Sequence, residues 1–289
     1  MRPKFESFSK GLENPGLICA SCHVREHTRY GPPPSTITST KPGSNKPDSD
    51  FYLNSPLPHN GFIPKKEFEN SQFCKNCHQS KPTGVLLNGK QLMETYSEWE
   101  QSDFAQKKIS CQSCHMESRS HTWKGIHDKE FVRNALDVQF SFKKQKSTIE
   151  VIGSIESRKI GHSFPTYTIP QIHLELFVIQ NGKKISIKQA SIGRLVDSNL
   201  TQEYYDTRLK PGEKLVLISE FPLPNSGELT LGFQVDVDPD ELYVRTFEEN
   251  LIDQKELSSA ARRSLRSAIR EKKSSKYNLF TSLKPVPLL

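Results

Sequence analysis

The sequence predicts a mixed fold: an irregular part of loops and short helices over residues 1–135, an antiparallel β-sandwich over 136–250, and an amphipathic helix with its tail over 251–289. Three observations carry that division. All six cysteines lie before residue 115, in a stretch otherwise rich in turn-forming residues. After Leu136, apolar and polar residues alternate as they do in half-buried strands. From Glu256 to Lys276, apolar residues recur at helical spacing.

In the first part, Tyr30 to Pro58 is dense in Pro, Ser, Thr and Asn and reads as an extended, wrapping loop. Leu92, Tyr96, Trp99 and Phe104 predict a helix over Lys90–Lys107. In the second part, Val138, Phe140 and Phe142 alternate with polar residues, and Ile149-Glu150-Val151 does the same. Strand-like runs follow at Ile172–Ile179, Lys184–Ile187, Lys214–Ser219 and Glu228–Val237. Asn181-Gly182 between two of them is a hairpin signal, because both residues tolerate the positive φ of a tight turn. Several short strands separated by turns predict a sandwich. In the tail, Leu257, Ala261, Leu265 and Ile269 form one helix face, and Arg262, Arg263, Arg266, Arg270, Lys272 and Lys273 lie around the rest. Such a face is either a solvated surface packed on the sandwich or a docking surface for an acidic partner.

The cysteines fall into one repeated pattern: Cys19-Ala-Ser-Cys22-His23, Cys74-Lys-Asn-Cys77-His78 and Cys111-Gln-Ser-Cys114-His115. C-x-x-C-H is the attachment signature of haem c. Two thiols three residues apart on a helical turn reach the two vinyl groups of one porphyrin, and the adjacent histidine supplies the proximal nitrogen to iron. C-x-x-C alone also serves zinc and redox disulfides, so the histidine is the discriminator. Zinc pairs its knuckles in twos, and three would leave one orphaned. The expectation is three covalently attached haems, with His23, His78 and His115 as proximal ligands.

Composition agrees. Hydrophobic residues make up 34% and the chain has 19 prolines, a lean basis for a compact fold unless a cofactor adds apolar mass. The formal charge of +7 invites a nucleic-acid or membrane reading. Each haem, however, brings about −1 when oxidised and about −2 when reduced, so the basic excess is partly a counter-charge and nucleic acid is not implied. No apolar run approaches the roughly 18 residues of a membrane span. Met1-Arg2-Pro3-Lys4-Phe5 is followed by polar residues rather than by the apolar core of a signal peptide. Haem is attached to such proteins after export, so a periplasmic or otherwise exported location is expected, with the signal removed or lying upstream.

The sixth iron position separates a carrier from an enzyme: a second strong ligand closes it, and an open one admits substrate. Of nine histidines, six remain after the proximal three. His59 in Pro-His-Asn-Gly, His121 and His127 around Thr-Trp-Lys-Gly-Ile, and His162 in Gly-His-Ser-Phe-Pro-Thr are the candidate distal ligands. His27 is too near His23 to reach the opposite face easily, and His173 lies inside a strand and reads as a packed residue. Methionine is scarce, and Met116 directly follows His115. Asp236, Asp238 and Asp240 alternate at a strand end and read as a turn rather than a calcium loop.

On these residues the sequence resembles the bacterial multihaem c-type cytochromes. The resembling segments are Leu17-Ile-Cys-Ala-Ser-Cys-His-Val-Arg with Arg29-Tyr-Gly-Pro-Pro, Phe73-Cys-Lys-Asn-Cys-His-Gln, Tyr96-Ser-Glu-Trp, Cys111-Gln-Ser-Cys-His-Met, His121-Thr-Trp-Lys-Gly-Ile-His-Asp and Gly161-His-Ser-Phe-Pro-Thr. The resemblance implies closely stacked bis-histidine haems followed by a β-sandwich, with His121 and His162 at positions that lie beside haems in relatives. It also implies further C-x-x-C-H motifs and an export signal before Leu17, so an N-terminally shortened chain is expected. The function expected is electron transfer with other redox proteins, acidic ones among them. The alternative is a redox enzyme acting on a small nitrogen or sulfur oxyanion at an open haem. All three motifs end in histidine, which favours the carrier.

Overall fold

The computed structural model describes residues 66–117, 124–253 and 257–287. The chain divides into two compact units, Met1–Cys77 and His78–Leu289. In the first unit, a 3-10 turn at Lys66–Glu69 leads into helix α1, Gln72–His78, which runs into the second unit.

Alternation becomes two antiparallel sheets in the second unit. Strands β3 (Leu136–Lys144), β4 (Thr148–Ser157) and β8 (Lys214–Pro222) form a sheet in the order β3-β4-β8. Strands β5 (Gln171–Gln180), β6 (Lys183–Val196), β7 (Glu203–Asp206), β9 (Leu229–Asp238) and β10 (Tyr277–Val286) form the other, in the order β10-β9-β5-β6-β7. Asn181 and Gly182 both take positive φ, 48° and 78°, and close the β5–β6 hairpin that their pairing in sequence predicts.

The sheets bury a common core. Ile149, Val151 and Ile155 of β4 join Ile172, Leu174 and Leu176 of β5 and Leu231, Phe233 and Val235 of β9. Gly153 of β4 is what lets the sheets approach here: a Cβ on it would stand 2.7 Å from two ring atoms of the buried Phe233. Alanine at Gly153 is therefore expected to cost about 1–3 kcal/mol by overpacking, read as a shift in the denaturant midpoint.

The short elements precede the sheets: a two-residue-strand hairpin β1 (Leu86–Leu87) and β2 (Lys90–Gln91), then helices α2 (Thr95–Glu100), α3 (Asp103–Gln106), α4 (Cys111–His115) and α5 (Lys129–Ala135). The single helix expected over Lys90–Lys107 is thus two. Ser102 turns to an extended conformation between them and folds its hydroxyl back onto the Trp99 carbonyl, the local bonding that makes serine a helix boundary.

Two of the expected boundaries differ. Residues 78–135 fall in the same compact unit as the sheets, not in a separate part ending at 135. The cause is polar anchoring: Arg194 of β6, with a fully buried side chain, donates to the carbonyls of Leu87, Lys90 and Gln91. Leu87 also packs with Val196 and with Leu242 of helix α6 (Glu241–Asp253). The tail over 251–289 is no separate element either. Helix α7 (Ser259–Lys273) is followed by β10, which pairs with β9 along its length. Pro285 is tolerated there because β10 is an edge strand, where a missing N–H leaves no partner stranded. Among the described residues, no helix is long and apolar enough to cross a membrane.

Candidate functional site

Helix α4 displays the third motif. Ser110 caps it by accepting the Ser113 amide at 3.3 Å, and one turn then carries Cys111, Cys114 and His115 on one face by their three- and four-residue spacing. Helix α1 does the same for Cys74, Cys77 and His78, starting from the Asn70 side chain, which accepts the Gln72 amide. Burial, with Cys111 and Glu117 nearby, pushes the Cys114 thiol up, the opposite of what an activated redox thiolate needs.

The His115 ring is fixed from two sides. Its Nδ1 lies 2.6 Å from the Lys124 carbonyl, and its ring centre lies 5.3 Å from that of Phe131. Phe131 is held by α5, whose first turn is capped by the Asp128 carboxylate. The segment between is pinned in turn: Tyr277 of β10 donates to the Ile126 carbonyl at 2.7 Å.

His162 faces this ring. The two imidazole centres are 6.3 Å apart, with planes within 15° of parallel. Nδ1 of His162 lies 2.9 Å from the Ser163 carbonyl, so both histidines commit Nδ1 to a backbone oxygen and leave Nε2 as the free nitrogen. Burial, offset in part by the Ser163 bond, holds the His162 pKa down, and His115 adds to this. Desolvation and then the charge of His115 lower His78 likewise. All of this favours neutral imidazole, the form that binds metals.

The turn that carries His162 is built by its neighbours. Gly161 packs against Phe104 and Trp99, where a Cβ would stand 3.1 Å from the one and 3.2 Å from the other. Phe164 is buried and exchanges two backbone hydrogen bonds with Leu209. Glu98 of α2 accepts the Ser163 amide at 3.0 Å and the Thr166 hydroxyl at 3.2 Å, and Arg208 binds its other oxygen at 3.2 Å. Glu98, Arg208, Phe131 and the Lys124 carbonyl escape a reading of the sequence. Glu98 and Lys124 lie in segments singled out there, but nothing in their spacing marks them.

The other predicted residues fall elsewhere. His127 binds Asp240 through Nε2 at 3.1 Å, a buried carboxylate occupying the nitrogen an iron ligand normally offers. Asp240 also faces Lys272, and Asp238 pairs with Lys276 at 2.6 Å, so these strand-end carboxylates are engaged by cations of the tail. His173 stands exposed on β5 with Nδ1 near Ser191, not packed. Cys19, Cys22, His23, His27, His59 and His121 lie outside the described residues.

Antiparallel sheets preceded by short helices that carry C-x-x-C-H turns make a fold similar to that of a multihaem c-type cytochrome. The particular likeness is to the penta-haem cytochrome c552 of Thermochromatium tepidum, with a TM-score of 0.54 and 18% identity over 81% of this chain. The match covers 63% of that protein's chain. The β-glucosidases of Kluyveromyces marxianus and Thermotoga neapolitana overlap far less: TM-scores of 0.20 and 0.18, identities of 10% and 11%, and coverage of 53% and 52% of this chain and 14% and 16% of theirs. Those overlaps are too slight to define a shared fold. No family model matches, and no curated protein does.

Proposed function

We propose that the protein is a multihaem c-type cytochrome with three covalently bound haems, which carries electrons between redox partners outside the cytoplasm. The observation that carries this reading is the His115–His162 pair. The rings lie 6.3 Å apart with planes within 15° of parallel, and each turns its Nδ1 to a backbone oxygen, so both would offer Nε2 to a shared iron.

Haem supplies one-electron exchange at iron. In this reading Cys111 and Cys114 would tether it, with His115 as the proximal ligand and His162 as the distal one. His162 thereby denies the sixth position to substrate, which is the property of a carrier. Cys74, Cys77 and His78 would hold the haem of the second motif, and Cys19, Cys22 and His23 that of the first. The two sheets form a β-sandwich that keeps the distal ligand in place. Arg263, Arg266 and Arg270 are exposed on α7 and make no ion pair among the described residues, which supports an acidic redox partner.

The test uses protein matured with an export signal and haem-attachment machinery. In the reduced His162→Ala variant, carbon monoxide is expected to shift the spectrum of one haem more than it does in the parent. Equal carbon monoxide binding in both would overturn the assignment of His162.

A further inference from the structure

We infer that Glu98 is the positioning residue for the distal ligand of the third haem: its carboxylate locks the Gly161–Thr166 turn so that His162 is presented to iron already in place. The inference rests on the assignment of His162 as that ligand.

The turn has little regular structure of its own. Apart from the short antiparallel bridge between Phe164 and Leu209, residues 158–170 belong to neither sheet. A ligand on such a segment would have to be ordered each time it met the metal, and that lost entropy would weaken the bond. Glu98 removes the problem from both sides of the histidine's successor residues. One oxygen, Oε2, accepts the amide of Ser163, next to His162, and also the hydroxyl of Thr166. Thr166 is held a second time by the Thr95 hydroxyl at 2.8 Å. Helix α2, which carries both Thr95 and Glu98, is therefore the platform for the turn.

Glu98 is itself held. Arg208 binds its Oε1 at 3.2 Å with a side chain only 7% exposed, and also donates to the Thr166 carbonyl at 3.4 Å. Arg208 is gripped by both oxygens of Asp206, at 2.8 and 2.9 Å. Asp206 is bound by Lys90, Lys90 by Glu203, and Glu203 by the buried Arg194. Charges alternate along the whole ladder, so Glu98 sits at one end of a neutral, partly buried chain anchored in β6. A charge-assisted acceptor fixed in this way holds its donors more firmly than a free surface carboxylate would.

The experiment compares His162→Ala, Glu98→Ala and Glu98→Gln in the haem-loaded protein. It reads the rate of carbon monoxide binding after reduction and the low-spin marker bands of the third haem. Glu98→Ala is expected to speed carbon monoxide binding at one haem by about tenfold or more, the factor set by losing a hydrogen bond to a charged group. Glu98→Gln keeps an oxygen for Ser163 and Thr166, so it should restore slow binding. It should also raise the reduction potential of that haem, because the variant removes one negative charge beside the distal ligand's turn while Arg208 keeps its positive charge. If His162→Ala opens an iron while both Glu98 variants behave as the parent in rate, bands and potential, Glu98 is only structural and the inference falls. If His162→Ala opens none, the ligand assignment itself has failed. Should Glu98→Ala not fold, an unshifted potential in Glu98→Gln would still overturn the proposal.

Discussion

Alanine at Glu203 should destabilise the protein by about 3 kcal/mol or more, the cost of leaving a buried charge without its partner. Arg194 has no exposed side-chain surface, and Glu203 is the carboxylate it meets, at 2.6 Å. Without it the guanidinium keeps only neutral carbonyls of the β1–β2 hairpin. Glutamine at the same position should cost less, because it retains an acceptor. Urea denaturation of the two variants against the parent measures the difference. The same ladder makes stability acid-sensitive. Burial raises the pKa of Glu203 and of Asp206, but hydrogen bonds from Lys90 and Arg194 to the one, and from Arg208 and Lys90 to the other, more than offset it. Both carboxylates titrate below their ordinary values when folded, so their contribution is complete above the ordinary range and is lost as pH falls through the folded pKa.

Serine at Cys111 and Cys114 together should remove the third haem and with it one third of the haem absorbance per chain. The thiols form the only covalent tether the third motif offers, and His115 alone would hold the group through a single metal bond. Intact mass should fall by one haem relative to the parent, apart from the substitutions.

The motifs were legible because they are local: Cys111, Cys114 and His115 sit on a single turn, and five residues specify the whole attachment chemistry. The β5–β6 hairpin was legible for the same reason, with Asn181-Gly182 declaring its own geometry. What the sequence hides is action at a distance. His162 is one of several histidines of equal standing until folding sets it opposite His115. His127 ranked beside it, yet folding gives its Nε2 to Asp240. The run expected over Lys184–Ile187 stops before the polar Lys188-Gln189, whereas β6 continues to Val196 with the buried Arg194 satisfied by ion pairing and carbonyl bonds. Strand β10 escaped notice because Pro285 argues against a strand unless the strand is known to lie at an edge. The tail helix expected over Glu256–Lys276 corresponds to α7, whereas α6 falls mostly on the segment assigned to the sandwich and no expectation covers it.

The most direct measurement is the number of covalent haems per chain, taken from the pyridine haemochrome spectrum and intact mass of protein exported through haem-attachment machinery. Three are expected, one for each C-x-x-C-H motif. A purified, folded chain carrying none would contradict the central claim and return the three cysteine pairs to another chemistry.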